Sequence, residues 1–94
     1  MANSAKQYRV ELLRDPQRVL AKLPRNTRLR IEDAIDGLAE DPRPHGYSKM
    51  KGYDDLYRIR VGEWRIIYAI EEDRLIVLVI EIGPRGSVYR QLSR

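Results

Sequence analysis

The 94-residue chain contains no cysteine and one histidine. The first absence excludes disulfides, thiolate nucleophiles and cysteine-ligated zinc; the second excludes a ribonuclease that works with a pair of histidines. Long apolar runs are missing too. The longest lies in RLIVLVIEIG, roughly half of the ~20 residues that a membrane-spanning helix needs, and the opening MANSAKQYRVELL has no signal-peptide core. The expectation is a soluble, cytoplasmic protein without membrane contact. No internal repeat, low-complexity tract, linker or glycine-rich phosphate loop interrupts the sequence. A single domain over residues 1–94, with a core of modest size, is therefore expected.

What is present is positive charge of one chemical kind. The formal net charge is +4 and the sequence pI about 9.6, with 14 arginines against 4 lysines. Arginine presents a planar fork of donors that matches phosphate oxygens and a flat face that stacks on bases. The composition thus leans toward a nucleic-acid partner.

Along the chain, Gln7 to Leu13 alternate, with Tyr8, Val10 and Leu12 on one side and Arg9 and Glu11 on the other, as in a half-buried strand. Asp15 before Pro16 predicts the cap and start of a short helix whose stripe is Val19, Leu20 and Leu23 and which Pro24 ends. Asn26 or Thr27 is expected to cap a second helix, with Ile31, Ala34, Ile35, Leu38 and Ala39 at helical spacing. Two helices so closely joined predict an antiparallel hairpin. EDPRPHGYSKMKGYDD, residues 40–55, reads as a connection with a short strand around Lys49 to Lys51.

From Leu56 the alternation returns. With Gly62 and Glu63 at the tip of a hairpin, Val61 faces Trp64, Ile59 faces Ile66 and Tyr57 faces Tyr68. That makes one face apolar and aromatic. The opposite face sets Arg58 beside Ile67 and Arg60 directly across from Arg65, a like-charge pair costing on the order of 0.2–1 kcal/mol. A second hairpin, turning in EEDR, returns through Leu75 to Ile82. The expected fold is α+β: a small antiparallel sheet of about four strands packed on an N-terminal helical hairpin, in the order β-α-α-β-β-β.

Several residues are candidates for chemistry. Arg85 and Tyr89 follow the last strand, and their convergence with Arg58, Arg60 and Arg65 would make a concave cationic patch with an aromatic ring, suited to a polyanion. Lys49 and Lys51 flank Met50, which is expected to pack while the lysines face solvent or phosphate. Trp64 and Tyr68 read as core rather than base-stacking residues, and Tyr57 likewise. His45 reads as a solvated loop residue. Glu71, Glu72 and Asp73 sit at a turn tip with no histidine nearby, so no metal site is expected there.

The blocks DPQRVLAKLP, IDGLAEDPRP, KMKG, LYRIRVGEWRIIYAI and IGPRGSVYR, in this order and spacing, resemble the RelE-type toxins of bacterial toxin–antitoxin pairs, within the RelE and ParE superfamily. The resemblance spans nearly the whole chain. It implies a small ribonuclease that cleaves mRNA, typically in the ribosomal A site, without a metal or other cofactor. Residue by residue, it implies a basic pair before the hairpin turn at Arg58 and Arg60, an arginine after the turn at Arg65, and the final arginine and tyrosine at Arg85 and Tyr89. The catalytic set implied is Arg60, Arg65, Arg85 and Tyr89, with Arg58, Lys49, Lys51 and Arg90 as RNA contacts. Some members have lysines at the first pair. Arginine stays protonated, so the general base is left unassigned.

The chemistry needs an aligned 2′-OH, compensation of charge on the phosphoryl oxygens and a proton for the leaving 5′ oxygen. Guanidinium groups can do the second job without a metal. The implied partners are mRNA, the ribosome and a cognate antitoxin whose complex binds operator DNA. The superfamily also offers a gyrase-inhibiting, ParE-like toxin, or a member that binds RNA without cleaving it.

Overall fold

The computed structural model describes residues 7–84. The chain runs β1 (Arg9–Leu12), α1 (Arg14–Lys22), α2 (Arg25–Glu40), β2 (Ser48–Lys49), β3 (Leu56–Val61), β4 (Trp64–Glu71) and β5 (Ile76–Pro84). The strands form one sheet in the order β1-β5-β4-β3-β2. Its class is the α+β arrangement expected, but with five strands and mixed direction. β1 runs parallel to β5, from Arg9 opposite Ile76 to Leu12 opposite Val79. The reason lies in the connection: a strand followed by two helices is carried across the sheet before the next strand begins, and such a crossover permits the parallel pairing that a tight hairpin forbids. The extra strand is β2, two residues paired antiparallel with β3.

Both helices begin earlier than their capping signals suggest. Leu13 occupies the N-cap of α1 without a side-chain cap, and Asp15 lies inside the first turn, where its charge still complements the helix dipole. Pro16 is buried in that same turn, where a missing N–H is harmless. For α2 the N-cap is Pro24 rather than Asn26 or Thr27. Proline's fixed φ provides an extended residue between two helices, so one residue stops α1 and admits α2.

The core lies between the helices and one face of the sheet. Ile31, Ile35 and Leu38 of α2 meet Ile59, Ile66, Tyr68, Val77, Val79 and Ile82, with Tyr57, Val61 and Trp64 packed at the margin. Tyr68 has no exposed surface. Its hydroxyl donates to the Pro42 carbonyl at 2.7 Å, and its ring stacks on Tyr57 with centroids 5.9 Å apart. Arg43 covers Tyr57 from outside, 5.3 Å from the ring centroid, and pairs with Glu72 at 2.7 Å. Glu72 also accepts the Tyr8 hydroxyl at 2.7 Å. These contacts fasten the segment after α2 to the turn between β4 and β5, at the end of the sheet remote from the β3–β4 turn. A smaller cluster, Met50 and Ile67 with Tyr53 and Leu56, packs on the opposite face.

Candidate active site on the arginine face

The β3–β4 pairing has the register that alternation predicts. Val61 opposes Trp64, Ile59 opposes Ile66, Tyr57 opposes Tyr68, Arg58 opposes Ile67 and Arg60 opposes Arg65. Because side chains alternate across a sheet, the apolar set enters the core and the three arginines emerge together on the other face. Their environments differ: Arg60 is exposed, Arg58 half-buried, and Arg65 only 8% exposed. A guanidinium that deep in a sheet is held in place by its surroundings rather than waving in solvent, which suits a group meant to meet a ligand in fixed geometry.

The turn between these strands is short because Gly62 allows it. Its φ is +60°, a region that L side chains rarely adopt, while Glu63 is not in that region, as in a type II′ turn with glycine first. Gly62 is also closely approached. A Cβ built there would lie 3.3 Å from Nη2 of Arg30, whose guanidinium reaches from α2 over the turn. Arg60, Gly62, Glu63, Trp64 and Arg65 line a solvent-open hollow of about 190 Å³ at this end of the sheet. Arg30 therefore adds a cation beside the β3–β4 turn. No sequence signal links position 30 to position 62.

β5 completes the face. Arg65 opposes Gly83 and Ile67 opposes Glu81, but Tyr68 opposes Val79, so Ile80 is an extra residue in a bulge. Strict alternation would turn Glu81 to the same side as core residue Val79. The bulge lets Val79 and Ile82 both enter the core and sends Glu81 to the arginine face. Burial raises the pKa of Glu81 and the nearby Asp15 carboxylate raises it further.

Lys49 and Lys51 are exposed at the β2 edge, and Met50 between them packs as expected. Lys49 is opposite Tyr57, whereas Ser48 is opposite Arg58. The register thus starts Lys49 from the helix-side face, at the sheet edge, and does not bring it to the arginines. Arg85, Tyr89 and Arg90 lie outside the described residues; the last described residue, Pro84, is paired with Trp64. Among the described residues no three acidic or histidine side chains converge as a metal-binding group. No helix among them is long and apolar enough to cross a membrane.

Residues 7–89 match the family model described as the ParE toxin of the type II toxin–antitoxin system parDE. RelE1 of Methanocaldococcus jannaschii is 27% identical over 86 residues, covering 88% of this chain and 96% of that protein. The chain belongs to the RelE family, within the RelE and ParE superfamily of toxins. A further RelE-family relative, the toxin RelG of Mycobacterium tuberculosis, is 26% identical over 85 residues, covering 89% of this chain and 98% of the relative. The RelE fold is seen directly in the RelE–RelB complex of Pyrococcus horikoshii, with a TM-score of 0.77, 29% identity, and coverage of 87% of this chain and 99% of that one.

Proposed function

We propose that this RelE-family toxin is an endoribonuclease that cleaves mRNA, in the ribosomal A site, by attack of a ribose 2′-OH on the adjacent phosphate. The observation that carries this reading is the opposition of Arg60 and Arg65 on one sheet face with Arg58 beside them. A phosphate placed between the opposed guanidiniums converts repulsion into charge-assisted hydrogen bonds. Charge builds on the phosphoryl oxygens as the pentacoordinate state forms, so donors fixed beforehand stabilise that state more than the substrate. Arg60 and Arg65 brace the phosphate and Arg58 holds the neighbouring backbone. Arg85 stabilises the transition state or helps protonate the leaving oxygen, and Tyr89 stacks on or orients a base. Lys51 and Arg90 extend the contact to flanking phosphates. The reaction calls for no metal, and its products are a 2′,3′-cyclic phosphate and a 5′-hydroxyl.

Such an activity in the cytoplasm requires restraint. The RelE of P. horikoshii is found in complex with RelB, and we assign this chain a cognate antitoxin of the same kind, with operator DNA bound through the antitoxin. A basic domain of net charge +4 suits an acidic binding segment.

One finding favours a second reading: the matching family model carries the ParE name, and a ParE-like toxin would inhibit DNA gyrase by binding it. Fold does not separate the two, so the site must. Induced expression in a bacterial host, with primer extension on a reporter mRNA and a parallel gyrase supercoiling assay, does so. Codon-positioned cuts abolished by Arg65→Ala support the nuclease. Growth arrest with intact mRNA and blocked supercoiling supports the gyrase inhibitor and overturns the first reading.

A further inference from the structure

The nuclease needs a proton acceptor for the 2′-OH, and none of its arginines can serve, because a guanidinium is not deprotonated in a protein. The sheet register supplies another group. One row across the arginine face reads Arg60, Arg65, Gly83; the next reads Arg58, Ile67, Glu81. Arg65 and Glu81 are therefore diagonal neighbours, with backbones about 7–8 Å apart and both side chains long. Gly83, opposite Arg65, places no side chain between them.

Glu81 is an unusual carboxylate. It interrupts the otherwise apolar IVLVIEIGP of β5 and is half-buried. Among the described residues, nothing forms a hydrogen bond or ion pair with its side chain, although it shares a face with three arginines. A carboxylate serving only to neutralise those arginines would be expected to clasp one of them. The charged group acting on it directly is Asp15 of α1; by register Arg65 of β4, the neighbouring strand, lies diagonal to it, and Arg58 of β3 lies one strand further along the same row. Burial and Asp15 together raise its pKa, which strengthens it as a base.

We infer that Glu81 is the general base of this chain, accepting the 2′-OH proton of a ribose whose 3′ phosphate is held by Arg60 and Arg65. The inference rests on the nuclease reading above. The proton passes from the 2′ oxygen to a Glu81 carboxylate oxygen. The 2′ oxygen forms its bond to phosphorus as the bond from phosphorus to the 5′ oxygen breaks. The electron pair leaves on that 5′ oxygen, which takes a proton from solvent water. Cyclic phosphate and 5′-hydroxyl result, with the Glu81 proton then returned to solvent.

The test is single-turnover cleavage of a reporter mRNA on ribosomes by the full chain, comparing wild type with Glu81→Gln and Glu81→Asp across pH 5 to 9, alongside binding of an uncleavable RNA with a 2′-deoxy residue at the cut site. Glu81→Gln keeps shape and hydrogen-bonding capacity, and a thermal melt checks that both variants fold. Expected are a loss of about 100-fold or more in cleavage rate for Glu81→Gln, with 2′-deoxy RNA binding within about twofold of wild type and the acidic limb of the pH profile abolished. Glu81→Asp should retain that limb at a reduced rate. Cleavage by folded Glu81→Gln at the wild-type rate, or loss of RNA binding in place of loss of rate, overturns the assignment and leaves the nuclease standing. Absence of cleavage by the wild type itself overturns the nuclease reading, and Glu81's role with it.

Discussion

Replacing Gly62 with alanine probes the turn that sets the arginine register, and two separable effects contribute to its outcome. The first is backbone strain: at φ +60° an L side chain costs about 1–2 kcal/mol. The second is contact, since the new methyl would lie 3.3 Å from Arg30 Nη2. That neighbour is the far end of a flexible side chain, able to withdraw by a few tenths of an ångström, so strain should dominate. For a domain of this size, about 1–2 kcal/mol lowers Tm by roughly 4–16 °C. The assay is a double-mutant cycle of Gly62→Ala and Arg30→Ala followed by urea and thermal unfolding. The two changes should add to within about 0.5 kcal/mol. An unaltered Tm in Gly62→Ala would refute the strain argument. A coupling of 1 kcal/mol or more would show that contact with Arg30 governs the turn.

Removing the Tyr68 hydroxyl as Tyr68→Phe takes away its 2.7 Å bond to the buried Pro42 carbonyl and should destabilise the fold by about 1–3 kcal/mol in urea unfolding. Tyr8 titrates above its ordinary value of 10.0, chiefly because its hydroxyl donates to Glu72, with burial adding to the effect. Below pH 10 both folded and unfolded chains keep that proton. Above it the unfolded chain releases the proton more readily, so stability falls as pH rises. Urea melts at pH 8 and pH 10.5 should show a smaller drop in Tyr8→Phe than in wild type. Arg43 pairs with Glu72 where both side chains are well over a third exposed, so Arg43→Ala should cost no more than about 1 kcal/mol. Being remote from the arginine face, it should leave RNA cleavage within about twofold of wild type.

The β3–β4 hairpin was legible in full because two local signals agree: apolar alternation of period two and a glycine-first two-residue tip. Every pair from Tyr57–Tyr68 to Val61–Trp64 follows from them. The partner of β1 was not legible. Alternation says which side of Val10 and Leu12 is buried, but the direction of pairing depends on a crossover of two helices and on where β5 finishes. Glu81 was hidden for a related reason. Only the bulge at Ile80 moves it from the side of Val79 to the side of Arg65, and nothing in an apolar run announces a bulge. The helix starts were misplaced by two or three residues because Asp15, Asn26 and Thr27 look like caps, while Leu13 and Pro24 hold the cap positions. The closeness of Arg30 and Gly62 is purely tertiary.

The central claim is that arginines opposed on one sheet face hold an RNA phosphate during 2′-OH attack. Its most direct test is end-group analysis of mRNA cut on ribosomes by the purified chain, with Arg60→Ala as the companion because Arg60 is exposed and its loss should spare the fold. Wild type should yield 5′-hydroxyl and 2′,3′-cyclic phosphate ends, and Arg60→Ala should cleave about 10- to 100-fold more slowly with the same ends. Ends bearing a 5′-phosphate, or undiminished cleavage by the folded Arg60→Ala protein, would contradict the account.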